Sequence, residues 1–343
     1  MSEGMTGHGD YDAHSDHQAH DADAQHARVA ALAQAIDIGD QVVIADYGCG
    51  QGRVSTPMVA AAIGAVRSRD RDVPVFVVHN DVIENDWATL FGHLRSAGTY
   101  LDTPGGSITP TASAISFYEP VAPSGVVDLG VSVAAAQWLS QPGFEGLTTA
   151  VYFDQLAGDE HAAMVRQADH DWVRFLSARS VELTPGGRLL VGLMAVGPSG
   201  VAAGHDAWRH FSAVLADLAD AGHVDADRLT NFTFPVYERT IAELRRPFDD
   251  GVVDDRLVLD DITLTSSLSP AIAAYRDGVG ATAAAEAFVG FFRAFSEPTV
   301  SAGLGVDAST LDAAYRRLTE VLASSMDEFD FTVNVATLVV RRR

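Results

Sequence analysis

The stretch IADYGCGQGRVSTP, residues 44–57, decides the fold of this chain. Gly48, Gly50 and Gly52 stand at every second position, Asp46 precedes the first by two residues, and the apolar run VVIA (42–45) leads in. A buried strand that enters a helix through so bare a backbone lets a ligand lie against the main chain. Dinucleotide-binding folds use such a turn with the spacing G-x-G-x-x-G. Here the spacing is D-x-G-x-G-x-G, so a nicotinamide oxidoreductase fails at its first requirement.

On either side of the turn, strands and helices alternate. VVIADYG (42–48), VPVFVVHND (73–81), GVVDLGVSV (125–133) and GRLLVGLMAV (187–196) read as strands. VSTPMVAAAIGAVRSR (54–69), NDWATLFGHLRSA (85–97) and DHDWVRFLSARSVEL (169–183) read as helices. That alternation predicts an α/β, Rossmann-like parallel sheet with right-handed crossovers. Beyond Pro198 the pattern turns mainly helical, through AWRHFSAVLADLADAG, TIAELRRPF and ATAAAEAFVGFFRAF, and FDFTVNVATLVVRR (329–342) returns to the sheet. The predicted organisation is an N-terminal segment over 1–25, a core over 26–198, a helical cap over 199–300 and a return to the core over 301–343.

Composition narrows the function classes. The 343 residues carry 23 cationic and 46 acidic side chains, for a net charge of −23. Such an excess argues against nucleic acid and anionic membrane surfaces, which need clustered cations. The apolar runs are strand-sized, so no membrane span is predicted. The acidic, polar N-terminus is unlike a signal peptide, and one cysteine, Cys49, fits the cytoplasm. His8, His14, His17, His20 and His26 lack tight ligand spacing, so no metal is expected there.

Asp81 ends the second strand, where an acidic side chain accepts hydrogen bonds from both ribose hydroxyls of a nucleoside cofactor. Asn85 and Asp86 are available to cap the helix that follows, which frees Asp81.

Taken in order, the motifs resemble those of the SABATH carboxyl methyltransferases, class I methyltransferases known from plant salicylate, benzoate and jasmonate methylation and also found in bacteria. They are IADYGCGQG (44–52), FVVHNDVIENDWATLF (76–91), SFYEPVAPSGVVDL (116–129), AAQWLSQPG (135–143), DWVRFLSARSVELTPGGRLLVGLM (171–194), NFTFPVYERTIAEL (231–244) and FFRAFSEPTV (291–300). YDAHSDHQ (11–18) resembles the family's opening helix, with Tyr11, Ser15 and Gln18 on one helical face, so the resemblance implies a lid over the site.

The resemblance implies S-adenosylmethionine (SAM) as cofactor. Tyr11, Ser15, Asp46 and the backbone at Gly48, Cys49 and Gly50 would hold its methionine end. Asp81 would take the ribose with Val82 beside it, and Ser116 and Phe117 the adenine, Phe117 by stacking. Gln18 and Trp138 would hold the substrate carboxylate as the catalytic pair, with Ala134 and Gln137 lining the acceptor pocket. A carboxylic acid is ionised near pH 7 and the sulfonium methyl is already activated, so positioning suffices and no general base is needed.

The chain departs from the plant pattern in places. Thr230 and Thr233 stand where some plant members carry metal-binding Asn and Asp, so no bound magnesium is expected. Val54 falls near the turn's usual Asn, which puts one cofactor contact in doubt. Ala134, Ala135 and Ala136 replace bulkier residues before Trp138, and the enlarged pocket points to fatty acids as substrates over benzoates. Methylation of a phenol or ring nitrogen, and a non-catalytic SAM-binding relative, are the alternatives. Family analogy implies a homodimer.

Overall fold

The computed structural model describes residues 22–142, 148, 150–253 and 255–343. Among them, β1 (Val42–Tyr47), β2 (Val75–Asp81), β3 (Ile108–Ala114), β4 (Val127–Val133), β5 (Leu183–Met194), β6 (Leu257–Leu268) and β7 (Thr332–Arg342) form one sheet. Its order is β3-β2-β1-β4-β5-β7-β6. The first five strands are mutually parallel, and β7 is antiparallel to β5 and β6, so the expected parallel sheet carries an antiparallel edge. All six β1 residues are buried, as a central strand covered on both faces requires.

Helices cover both faces. On one, Val29, Ala33 and Ile36 from α1 (Ala22–Ala35) and its end pack with Met58, Ala62, Ile63 and Val66 of α2 (Ser55–Arg69) against Ile44, Val75 and Val77. On the other, Trp172, Phe175 and Leu176 of α4 (Gly158–Glu182) meet Val43, Ala45 and Tyr47. Their i, i+3, i+4 spacing makes one stripe along the helix. The short α3 (Trp87–Leu94) lies between β2 and β3.

Two strands are not apparent in the sequence, both at sheet edges. β3 contains Pro110, whose missing N–H is tolerated at an edge, and its side chains are half-buried or exposed. β6 lies inside the span 199–300 expected to be helical; its burial does not alternate cleanly. The helices around it are α5 (His205–Asp220), α6 (Ala226–Leu229), α7 (Ile241–Asp249), α8 (Pro270–Arg276), α9 (Ala281–Leu304) and α10 (Ala308–Ser324). α9 runs through residue 300 unbroken, and the last strand begins only at Thr332.

On α9, Phe288, Phe291, Phe292 and Phe295 repeat at i, i+3, i+4 and i+7. Phe292 packs edge-on to Trp208 of α5, with centroids 4.8 Å apart, and Phe211 stacks on Tyr315 of α10 at 5.0 Å. This aromatic layer stands over the carboxyl ends of the parallel strands. There the chain leaves β1 for β2 on one side and returns to β4 on the other, the switch point where open α/β sheets bind ligands.

Candidate active site

The glycine turn leaves β1 with three left-handed residues, Gly48 (φ 74°), Gly50 (φ 53°) and Gly52 (φ 92°), a backbone that side chains rarely allow. A Cβ on Gly48 would come within 2.3 Å of the Ala135 Cβ, whereas one on Gly50 would meet nothing within 4 Å. Gly50 thus opens onto free space. The turn's donors are already engaged: Gly48 and Cys49 N–H donate to the Asn80 carbonyl (2.8 and 3.0 Å), and Gly50 N–H to Asp81 Oδ2 (2.8 Å). A phosphate needs free N–H groups, and these three are already taken.

In front of the turn lies a cavity of about 230 Å³. Gly48, Gly50, Asp81, Val82, Ser116, Phe117 and Trp138 all line it, although they come from four separate stretches of sequence. Asp81 also accepts from its neighbour Val82 N–H (2.8 Å), and burial pushes its carboxyl up to about 6 while the two N–H bonds pull it down. Asp86 caps α3 by accepting from Thr89 N–H (3.0 Å), as expected. Asn85 does not cap; its amide donates to the Gly50 carbonyl (2.8 Å) and its side chain joins the cavity wall.

Asp46 and Cys49 stand elsewhere. Asp46 is 1% exposed and accepts from His79 Nδ1 (2.8 Å), whose Nε2 meets the Tyr100 hydroxyl (2.8 Å). Its carboxylate ties β1 to β2 and is not among the residues that line the cavity. Burial, with Asp46 and Asp81 nearby, pushes the Cys49 thiol well up and keeps it protonated. Asp46, Cys49 and His79 are the one trio among the described residues with metal-ligand proximity, and both ring nitrogens of His79 already have partners. Thr233 is buried, with its hydroxyl on Thr148 and the Ala150 carbonyl, and Thr230 bonds to the Asp227 carbonyl. Val54 precedes α2 and makes no side-chain cap bond.

The acceptor side begins at Trp138. Its ring lies 5.2 Å from Phe234, and it lines both the large cavity and a second one of about 40 Å³. Phe295 is shared in the same way. The second cavity is walled by Ala134, Gln137, Met194, Trp208, Phe234 and Phe291, among others. A third, of about 50 Å³, shares Ala134, Met194, Phe291 and Phe331 with the second. Ala134 has φ 54°, the one left-handed non-glycine among the described residues. Ala135 lines the large cavity, but Ala136 lines none of the three; its carbonyl accepts from Arg239. Gln137 donates to the Ala134 carbonyl (2.7 Å). Tyr11, Ser15 and Gln18 lie outside the described residues.

Tyr118, Asn85, Met194, Phe291 and Phe295 line the cavities without having been expected there. For α9 the signal is present in the 288/291/292/295 spacing, which marks a helix but does not say that its apolar face is a cavity wall.

The family described as SAM dependent carboxyl methyltransferase matches residues 1–343. The chain is 28% identical over 216 residues to methyltransferase LUC1 of Fusarium sp, covering 62% of this chain and 55% of that protein. It is 28% identical over 261 residues to indole-3-acetate O-methyltransferase 1 of Oryza sativa subsp. japonica, covering 66% of this chain and 63% of that one. It thus spans less than two thirds of the length of these two relatives. A solved loganic acid methyltransferase with SAH has the same fold, with a TM-score of 0.81 at 19% identity, covering 100% of this chain and 99% of that one.

Proposed function

This chain belongs to the SAM-dependent carboxyl methyltransferase family, and we propose that it moves the SAM methyl group onto the carboxylate of a small hydrophobic acid, a medium-chain fatty acid in particular. The observation that carries the acid's class is the run of three cavities. The first holds the cofactor-type residues, the second shares Trp138 and Phe295 with it, and the third shares Ala134, Met194, Phe291 and Phe331 with the second. A row of apolar spaces leading away from the methyl donor fits an unbranched chain better than a single ring.

In this reading SAM lies along the glycine turn with its ribose on Asp81 and its adenine beside Val82, Ser116 and Phe117. Trp138, together with Gln18, fixes the carboxylate. Neutral donors hold the anion without the strong ground-state stabilisation an arginine would bring. The carboxylate oxygen attacks the methyl carbon as the carbon–sulfur bond breaks, leaving ester and thioether with no proton to move. A phenol would need a base beside Trp138; the carboxylates that line the large cavity, Asp81 and Glu84, stand at the end of β2 and just after it, while Leu139 and Ser140 next to Trp138 are not bases. We further propose a homodimer, residence in the cytoplasm and no bound metal. No helix among the described residues is long and apolar enough to cross a membrane.

The test is a methyl-transfer assay in EDTA with octanoate, decanoate, benzoate and salicylate. Two added methylenes contribute about 1.6 kcal/mol, roughly tenfold. Octanoate and decanoate should therefore show higher kcat/KM than benzoate or salicylate, and Met194→Phe, which narrows the second and third cavities, should lower decanoate most. A native preference for the aromatic acids overturns the fatty-acid reading.

A further inference from the structure

Two arginines are buried behind the walls of the large cavity without lining it. Arg179, at the end of α4, is 0% exposed. Its guanidinium forks onto Glu182, with Nε to Oε2 at 2.7 Å and Nη2 to Oε1 at 3.1 Å. The same group donates Nη1 to the Phe117 carbonyl (2.9 Å) and Nη2 to the Glu119 carbonyl (3.0 Å). It lies 3.9 Å above the Tyr47 ring, while the Tyr47 hydroxyl donates to Glu182 (2.9 Å). Val121 and Ala122 N–H also donate to Glu182. One ion pair thus ties the 117–122 loop to the residue just before the glycine turn.

Arg239 is 1% exposed and serves the other wall. It donates Nη1 to the Ala136 carbonyl (2.8 Å) and Nη2 to the Ala168 carbonyl (2.6 Å). The Tyr118 hydroxyl donates to the Trp138 carbonyl, and Tyr237 N–H to the Gln137 carbonyl (2.9 Å). Three successive carbonyls beneath the acceptor pocket are therefore pinned.

We propose that Arg179 and Arg239 are positioning residues with separate duties, Arg179 setting the wall that receives the cofactor's adenine and Arg239 the wall that receives the acid. Each needs a planar, multi-pronged donor that bonds two carbonyls at once, a geometry lysine cannot reproduce. The cofactor half rests on the adenine placement proposed above, and the acceptor half on the carboxyl-acceptor reading.

The test is a pair of charge-conserving variants, Arg179→Lys and Arg239→Lys, each measured for SAH affinity by calorimetry and for KM of SAM and of octanoate. Arg179→Lys should weaken SAH and raise the SAM KM about tenfold, the loss of one charged hydrogen bond, with the octanoate KM within about twofold. Arg239→Lys should leave SAH affinity within about twofold and raise the octanoate KM about tenfold. A merely structural role would move every quantity together. If the lysine variants do not fold, Glu182→Gln and Arg239→Gln carry the same comparison. SAH affinity needs no acceptor, so it stays decisive even if octanoate is not methylated. Equal loss of SAH binding in both arms, or no loss in the Arg179 arm, overturns the proposal.

Discussion

Below about pH 6 the Asp81 carboxyl takes up a proton, because burial has raised it to about that value. In the placement proposed above, only the carboxylate accepts from both ribose hydroxyls while it holds Gly50 and Val82 N–H. SAM affinity should therefore fall as pH drops through about 6, and Asp81→Ala should weaken binding by roughly 1.5–3 kcal/mol at neutral pH, the range for hydrogen bonds to a charged group. Calorimetry across pH checks both, and an unchanged affinity in the folded variant removes Asp81 from the site. Gly50 offers a second measurement. Its φ of 53° makes alanine strained by roughly 1–2 kcal/mol, yet an added methyl meets no protein atom within 4 Å. Gly50→Ala should fold with a modestly lower melting temperature and lose most SAM binding, since the methyl stands in the cavity. Asp81, Gly48 and Gly50 are legible in the sequence because spacing alone puts them at a strand end. The bond from Asp46 to His79 is not legible there, because its partner sits 33 residues away and only the pairing of β1 with β2 brings them together.

The loop between Pro235 and α7 joins the site to the cap. Glu238 is fully buried there and accepts from the Tyr152 hydroxyl (2.8 Å) and Ala203 N–H (2.9 Å) just before α5. Burial raises its carboxyl to about 7. In the unfolded chain the group titrates near 4.5, so between these values the folded protein holds a proton that the unfolded chain lacks. Its contribution to stability is thus fully present below about pH 4.5 and is lost as pH rises toward about 7. At about 1.4 kcal/mol per tenfold change in proton affinity, that loss is on the order of 3 kcal/mol. Glu238→Gln mimics the protonated form, so its melting temperature should exceed that of the native protein at about pH 8 and converge with it near pH 5; parallel curves would remove Glu238 as the cause. Nothing in the sequence marks Glu238, because burial is a property of the finished fold. Edge strands are hard to read for a related reason: β3 and β6 bury too little of either face to impose a pattern. The central strands announce themselves through unbroken apolar runs.

Across the whole molecule, 46 acidic side chains face 23 cationic ones. Like charges at this density repel one another and weaken the compact state, and salt screens them. Raising NaCl to about 0.5 M should lift the melting temperature by roughly 2–4 °C, the response to about 1 kcal/mol in a large domain. A flat or falling response would mean that ion pairs such as Arg188–Asp260 and Arg293–Asp312 outweigh the repulsion. The contact between Gly48 and Ala135, by contrast, is indifferent to charge. One residue belongs to the glycine turn and the other to the loop after β4, and there is no room for another carbon between them. Gly48 cannot gain a side chain without parting the two loops. Change in this region is therefore open to the neighbouring walls at 134, 137 and 194, where the cavities leave space, before it is open to Gly48.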